Sequence, residues 1–259
     1  MPKRKLIAGL DIGSGTIKIL VAQRMREKEP EVLSLVEKNS LGVRSGVVIE
    51  PNEVSNVIKE ILREIEEQVN QRINSVRVNI GGCHIFSVPS RGLVSVSRAD
   101  QKISNEDVER VLQASQTISL PSNKEILDVV PKEFIVDGER GIKDPVGLRG
   151  VRLEVEVLAL GGFGPYIKNI TSAVLNAGLE IGDLIFSPVA AARSVLTLKE
   201  KELGVVVLDI GARTTGMAIF EQGDLVHMSV LPIGSSHITN DIAVGLKCDV
   251  DLAERIKLE

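Results

Sequence analysis

One segment occurs twice in this chain, and that repetition constrains the fold more than any other feature. Leu10-Asp11-Ile12-Gly13-Ser14-Gly15-Thr16 near the N-terminus matches Leu208-Asp209-Ile210-Gly211-Ala212-Arg213-Thr214, and the two copies align without a gap through to Val21 and Ile219. In each, an apolar run that reads as a buried strand delivers an aspartate. A short turn rich in glycine and hydroxyl residues follows, and then a second strand. A single Asp-Ile-Gly turn reads as an ordinary capped hairpin; two aligned copies point to a paired device.

The residue types match phosphate chemistry. Glycine permits positive φ and lets backbone N–H groups ring an anion, while serine and threonine hydroxyls add donors. An aspartate at a strand end suits magnesium, which keeps part of its water shell. Two such hairpins facing each other would grip one nucleotide from both sides. The expected nucleotide-binding residues are Asp11, Gly13, Ser14, Gly15, Thr16 and Lys18 in the first copy. In the second they are Asp209, Gly211, Ala212, Arg213, Thr214 and Thr215, with Gly234 and Ser235 at a helix start. Asp11 and Asp209 are the expected magnesium ligands, through water, and no residue is assigned as catalytic.

Composition narrows the alternatives. A chain of 259 residues can bury a substantial core as one large or two moderate domains. With 31 Lys and Arg against 35 Asp and Glu, and only 2% aromatics, no basic or stacking surface suggests nucleic acid. Cys83 and Cys248 are far apart and read as buried or half-buried thiols in a reducing cytoplasm. His227, a strand residue, and His237, solvent-facing near a helix start, have no metal-ligand spacing with each other or with Cys248. The opening Met1-Pro2-Lys3-Arg4-Lys5 resembles a signal-peptide start, but Asp11 cuts the apolar run short. No segment reaches membrane-span length, so the chain reads as cytoplasmic.

Along the chain, residues 31–38 read as a third strand. Pro51 opens a helix to about Val69, its apolar Val54, Val57, Ile58, Ile61, Leu62, Ile65 and Val69 at helical spacing. Residues 76–82 form a strand that ends in Gly81-Gly82, as suits a backbone passing close to a cleft edge. Residues 92–96 read as a strand, Ser104 as the cap of a helix with Asp107 closing a capping box, and residues 124–138 as a strand broken at Pro131 or lying at an edge. Residues 151–160 form an alternating strand with Arg152, Glu154 and Glu156 on one face. A helix from Pro165 to Ala177 with Gly178 as its C-cap, a buried strand, a small-residue helix from Pro188, the second motif, a strand over 224–231 and two further helices complete the pattern.

The paired motifs resemble the phosphate loops of the actin, Hsp70 and sugar-kinase superfamily, and most of all those of the FtsA family of bacterial division proteins. The resembling residues are Gly9-Leu10-Asp11-Ile12-Gly13, Pro188-Val189-Ala190-Ala191-Ala192, Leu208-Asp209-Ile210-Gly211, Phe220 through His227, and Pro232-Ile233-Gly234 through Thr239 to Ala243. The resemblance implies an α/β, actin-like (ribonuclease H-like) fold, a mixed sheet flanked by helices with a small α+β insert of the SHS2 type. It implies a first lobe, 1A, over 1–84 and 162–197, the insert, 1C, over 85–161, and the start of a second lobe, 2A, over 198–259, that lobe incomplete. The small-residue helix would cross between lobes.

It further implies ATP and magnesium as cofactors, self-association into filaments, and contact with FtsZ and other division proteins. Localisation would be peripheral on the cytoplasmic face of the membrane at the division site, through a C-terminal helix absent from this chain. The alternatives are a pilus-assembly relative of the PilM type and a sugar or small-acid kinase. Three positions depart from the family pattern. Ala212-Arg213 stand where Gly-Gly is usual, a β-carbon there disfavouring positive φ by roughly 1–2 kcal/mol. Arg213 either meets phosphate or is a surface residue. Gly216 stands for an aspartate, and Ser187 for a glutamate or glutamine able to orient an attacking water, so little or no hydrolysis is expected.

Overall fold

The computed structural model describes residues 6–25 and 29–259; the basic start at Met1 to Lys5 lies outside the described residues. The first motif forms β1 (Leu6–Ile12) and β2 (Thr16–Gln23), followed by β3 (Glu31–Asn39), a small hairpin of β4 (Val43–Arg44) and β5 (Val47–Val48), helix α1 (Pro51–Val69) and β6 (Ser75–Ile80). Strands β1, β2 and β3 form an antiparallel meander, and β6 joins β1 in parallel. Pro at the first turn starts α1, and Asn70 in the left-handed region ends it. The apolar stripe anticipated on α1 packs buried against Ile17, Ile19, Val21 and Val78 of the sheet, except Val69 at the helix end, which is only partly buried. Each such aliphatic side chain contributes about 1.5–3 kcal/mol on burial, which holds this layer together.

The chain then leaves for a separate four-stranded sheet: β7 (Phe86–Ser95), helix α2 (Asn105–Ser115), β8 (Lys124–Val136), β9 (Glu139–Ile142) and β10 (Arg152–Phe163), in the order β7-β10-β8-β9. The sequence pattern left β9 unmarked because four residues around two turn glycines carry no period. Strand β8 is continuous. Pro131 sits at a register shift opposite Val157, on the half of β8 that β9 does not cover, so a bulge at a free edge tolerates the missing N–H. Ser104 and Asp107 make the expected capping box. Arg152, Glu154 and Glu156 pair within an ion network that includes Arg91 and Arg140.

Helix α3 (Gly164–Asn176), β11 (Glu180–Phe186) and α4 (Ser187–Val195) return the chain to the first sheet, whose order is β11-β6-β1-β2-β3. A short helix α5 (Leu198–Leu203), capped by Thr197, precedes the second motif, β12 (Val205–Ile210) and β13 (Thr215–Glu221), which with β14 (Asp224–Leu231) repeats the opening meander. Helices α6 (Ser235–Leu246) and α7 (Val250–Leu258) follow. Asp249 caps α7, its Oδ1 accepting from the Leu252 N–H. Helix α4 lies between the sheets: Val189 and Ala192 share one core with Ile80 and Phe186 of the first sheet, Leu158 of the insert and Ala218 and Phe220 of the second hairpin. That shared core fixes the two hairpins relative to each other. Cys248 is half-buried, but Cys83 is exposed, in the loop that follows the end of β6 at Ile80.

Candidate functional site

The duplicated turns have the same hydrogen bond. The Gly13 N–H donates to Thr16 O at 3.0 Å and the Gly211 N–H to Thr214 O at 2.9 Å, so each hairpin closes over residues 13–16 or 211–214. Neither turn uses positive φ; Ala212 and Arg213 lie in ordinary backbone regions, and so do Gly13, Gly15, Gly211 and Gly216. The strain expected of a β-carbon at Ala212 is therefore absent. Glycine serves closeness instead. A β-carbon on Gly13 would lie 2.9 Å from Thr16 O, and one on Gly15 would lie 3.1 Å from the Ala212 side chain of the other hairpin, so the two tips abut. Gly216 faces Pro188 at the start of α4, where a β-carbon would meet the ring at 2.5 Å, and this excludes the family's aspartate.

Asp11, Gly13, Ser14, Gly15, Thr16, Lys18, Asp209, Gly211, Ala212 and Thr214 line one cavity of about 270 Å³ with Gly46, Asn79, Gly81, Gly82 and Ser187. Among the described residues, the N–H groups of Ser14, Gly15, Ala212 and Arg213 donate to no protein acceptor. Of these, Ser14, Gly15 and Ala212 line the cavity, so both abutting turns bring an unpaired donor to one space. A larger, more apolar hollow of about 610 Å³ shares Asp11, Lys18, Asn79, Ser187 and Asp209 with it but none of the turn residues 13–16 or 211–214, so the smaller space is the one with anion chemistry.

The remaining expected residues stand outside that lining. The Arg213 side chain is exposed and has no ion-pair partner among the described residues. Thr215 Oγ1 donates to Ile233 O at 2.6 Å. The start of α6 does not present free N–H groups: Ser235 N–H donates to Gly211 O at 2.9 Å, Ser236 N–H to Ala212 O at 2.8 Å, and the Gly234 amide lies 3.1 Å from His237 Nδ1. Gly234 packs so tightly that a β-carbon would lie 2.5 Å from Gly211 O. These residues brace the second turn from behind, which corrects the expectation that they face a ligand. His237 is exposed at the helix start and His227 is exposed on β14.

Asp11 ends β1 and Asp209 occupies the matching position in β12. Asp11 keeps an exposed face, yet partial desolvation by the surrounding strand ends raises its pKa; Lys18 opposes this, and the Asp209 charge raises it further. Lys18, paired across from Asp11 in the β1–β2 register, also reaches Glu37 at 3.7 Å. Asp11 Oδ1 accepts from Asn79 at 2.6 Å, leaving Oδ2 open, and half-buried Asp209 has no hydrogen-bond partner among the described residues. Two carboxylates that repel each other across a shared cavity, with open oxygens and a wall of free N–H groups, fit a hydrated divalent cation and a phosphate chain. No cluster of three potential ligands occurs among the described residues, so any cation would rely on water and phosphate for its remaining oxygens.

Ser14, expected as a phosphate donor, has its oxygen occupied by the Gly46 N–H at 2.7 Å but keeps its hydrogen. Gly46 and Asn79 were missed in the sequence. The Ser45-Gly46 pair is a turn signal, but nothing local marks Asn79.

Two family models match the chain: the SHS2 domain inserted in FtsA over residues 82–160, and cell division protein FtsA over residues 206–259. Cell division protein FtsA of Pseudomonas aeruginosa is 37% identical over 98% of the chain, and that of Bacillus subtilis is 35% identical over 99%. The chain belongs to the FtsA family. It spans 60% and 58% of the length of those two relatives. Among solved structures, the PilM-PilN type IV pilus biogenesis complex has a TM-score of 0.70 at 21% identity, covering 98% of this chain and 70% of that one. The ethanolamine utilization protein EutJ from Carboxydothermus hydrogenoformans has a TM-score of 0.57 at 18% identity, covering all of this chain and 63% of the other. At such identities the likeness is one of fold, the actin-like fold with an SHS2 insert. Among the described residues no helix is long and apolar enough to cross a membrane.

Proposed function

We propose that the protein is an ATP-binding division adaptor in which the two hairpins grip the nucleotide phosphates. The observation that carries this is the pair of equivalent turns, residues 13–16 and 211–214, each with unpaired N–H groups beside an aspartate on one cavity. Asp11 and Asp209 would hold magnesium through water, and Ser14, Thr16 and Thr214 would add hydroxyl donors. The ion supplies charge neutralisation for the phosphates when bound. The chain divides, on this proposal, into lobe 1A over 1–84 and 162–197, insert 1C over 85–161 and the start of lobe 2A over 198–259. Core side chains shared through α4 would let nucleotide set the lobe geometry and present the insert for self-association and for FtsZ and other division proteins at the cytoplasmic face of the membrane. The curated relatives' names support the division reading over a pilus or kinase one.

Hydrolysis would be slow or absent, since the serine at 187 is too short to position an attacking water. A steady-state phosphate-release rate in the full-length protein matching an active chaperone ATPase would refute that part. For binding itself, titration of a fluorescent ATP analogue with magnesium is expected to saturate in the native protein and to fail in Asp209→Ala. Equal binding by the variant would overturn the proposed site.

A further inference from the structure

The residue that the repeat does not explain is Asn79. It lies on β6, half-buried, one position beyond the Leu10–Val78 pairing of the parallel β1–β6 ladder, and so beside Asp11 on the neighbouring strand. Its polar atoms are fully directed. The Ile12 N–H must meet an acceptor, which fixes Asn79 Oδ1 toward it at 2.7 Å and turns Nδ2 toward Asp11 Oδ1 at 2.6 Å. The second Nδ2 hydrogen goes to Ser187 Oγ at 3.1 Å, and the single Ser187 hydrogen goes on to Ile80 O at 3.2 Å. One amide therefore ties β1, β6 and the start of α4 together at the floor of the cavity.

We propose that Asn79 is a positioning residue for metal-bound phosphate: it clamps one oxygen of Asp11 and leaves the other aimed at the cation's water shell. The inference rests on the nucleotide reading above and deepens it. A metal-directed carboxylate is oriented by the donor on its other oxygen, and losing such a partner weakens metal affinity by about 10-fold or more. The same bonds have a second consequence. With both Asn79 hydrogens and the Ser187 hydrogen spent inside the protein, neither side chain can donate to a water at this point of the site.

The test is a titration of the fluorescent ATP analogue against the full-length protein in excess magnesium and again in EDTA, for the native protein, Asn79→Ala and Ser187→Ala. The expected result is a magnesium enhancement that falls about 10-fold or more in Asn79→Ala, with metal-free affinity little changed, while Ser187→Ala keeps the enhancement because the Asn79–Asp11 bond remains. A purely structural role would weaken binding equally with and without metal. Melting curves without nucleotide accompany each variant. Should Asn79→Ala melt below the assay temperature, Asn79→Leu, which keeps the side-chain volume but has no donor, is read in its place and is expected to lose the enhancement. An unchanged enhancement in the Asn79 variant overturns the clamp alone. A native protein that binds without any magnesium enhancement overturns both the clamp and the metal site.

Discussion

Replacing Gly216 by alanine tests how the second hairpin is seated. Gly216 is buried on β13 opposite Asp209, and its added β-carbon would lie 2.5 Å from Pro188 Cγ and 3.3 Å from Cδ, roughly 1 Å inside ordinary contact. The proline ring cannot swing away, because it is fixed in the first turn of α4 and α4 is itself held by Val189 and Ala192 in the shared core. Overpacking of this kind costs about 1–3 kcal/mol, against which the gain from replacing a strand glycine by alanine is only about 0.5–1 kcal/mol. The expected net effect is a loss of about 0–2.5 kcal/mol, centred near 1 kcal/mol. The chain has no tryptophan, so urea unfolding followed by far-ultraviolet circular dichroism is the suitable assay. In a Pro188→Ala background the same substitution should cost far less, since the clashing ring is gone, and the difference between the two backgrounds measures the contact. A stabilising Gly216→Ala in the native background, or an equal effect in both backgrounds, would refute the packing argument.

Two further predictions concern the insert and the second turn. Asp107 is fully buried; burial alone would raise its pKa, but hydrogen bonds from Ser104, Arg110 and Ser97 overcome this and hold it well below the usual carboxylate range. Asp107→Ala should therefore destabilise the insert by about 2–4 kcal/mol at pH 7. Because the folded pKa is depressed, that contribution is present above about pH 4, the ordinary aspartate value, and is lost as pH falls toward the folded value, so the gap in melting temperature between native and variant should close on acidification. Ala212→Gly should not stabilise the protein, since the backbone there is not at positive φ; the same melting experiment would contradict this if glycine gained about 1 kcal/mol.

Much of the fold was legible because its signals are local. The hairpins, the Pro51 helix and the Ser104 capping box each declare themselves through period, glycine placement or cap chemistry. Short elements without period, β4, β5, β9 and α5, did not. The site divided along the same line. The duplicated aspartates and turn residues could be read from the repeat, but the role of Gly216 depends on Pro188, 28 positions away in the chain and adjacent only once α4 packs on β13. Asn79 reaches Asp11 only across the parallel β1–β6 ladder, and the N–H groups at the start of α6 are consumed by the turn they support. Tertiary apposition, not local pattern, decides these three.

The most direct test is a crystal structure of the full-length protein with magnesium and a non-hydrolysable ATP analogue. The phosphates should lie between residues 13–16 and 211–214, accepting from the free turn N–H groups, with waters of the magnesium ion on Asp11 and Asp209. Phosphates bound away from both turns, or a metal ion that contacts neither aspartate, would contradict the two-hairpin grip.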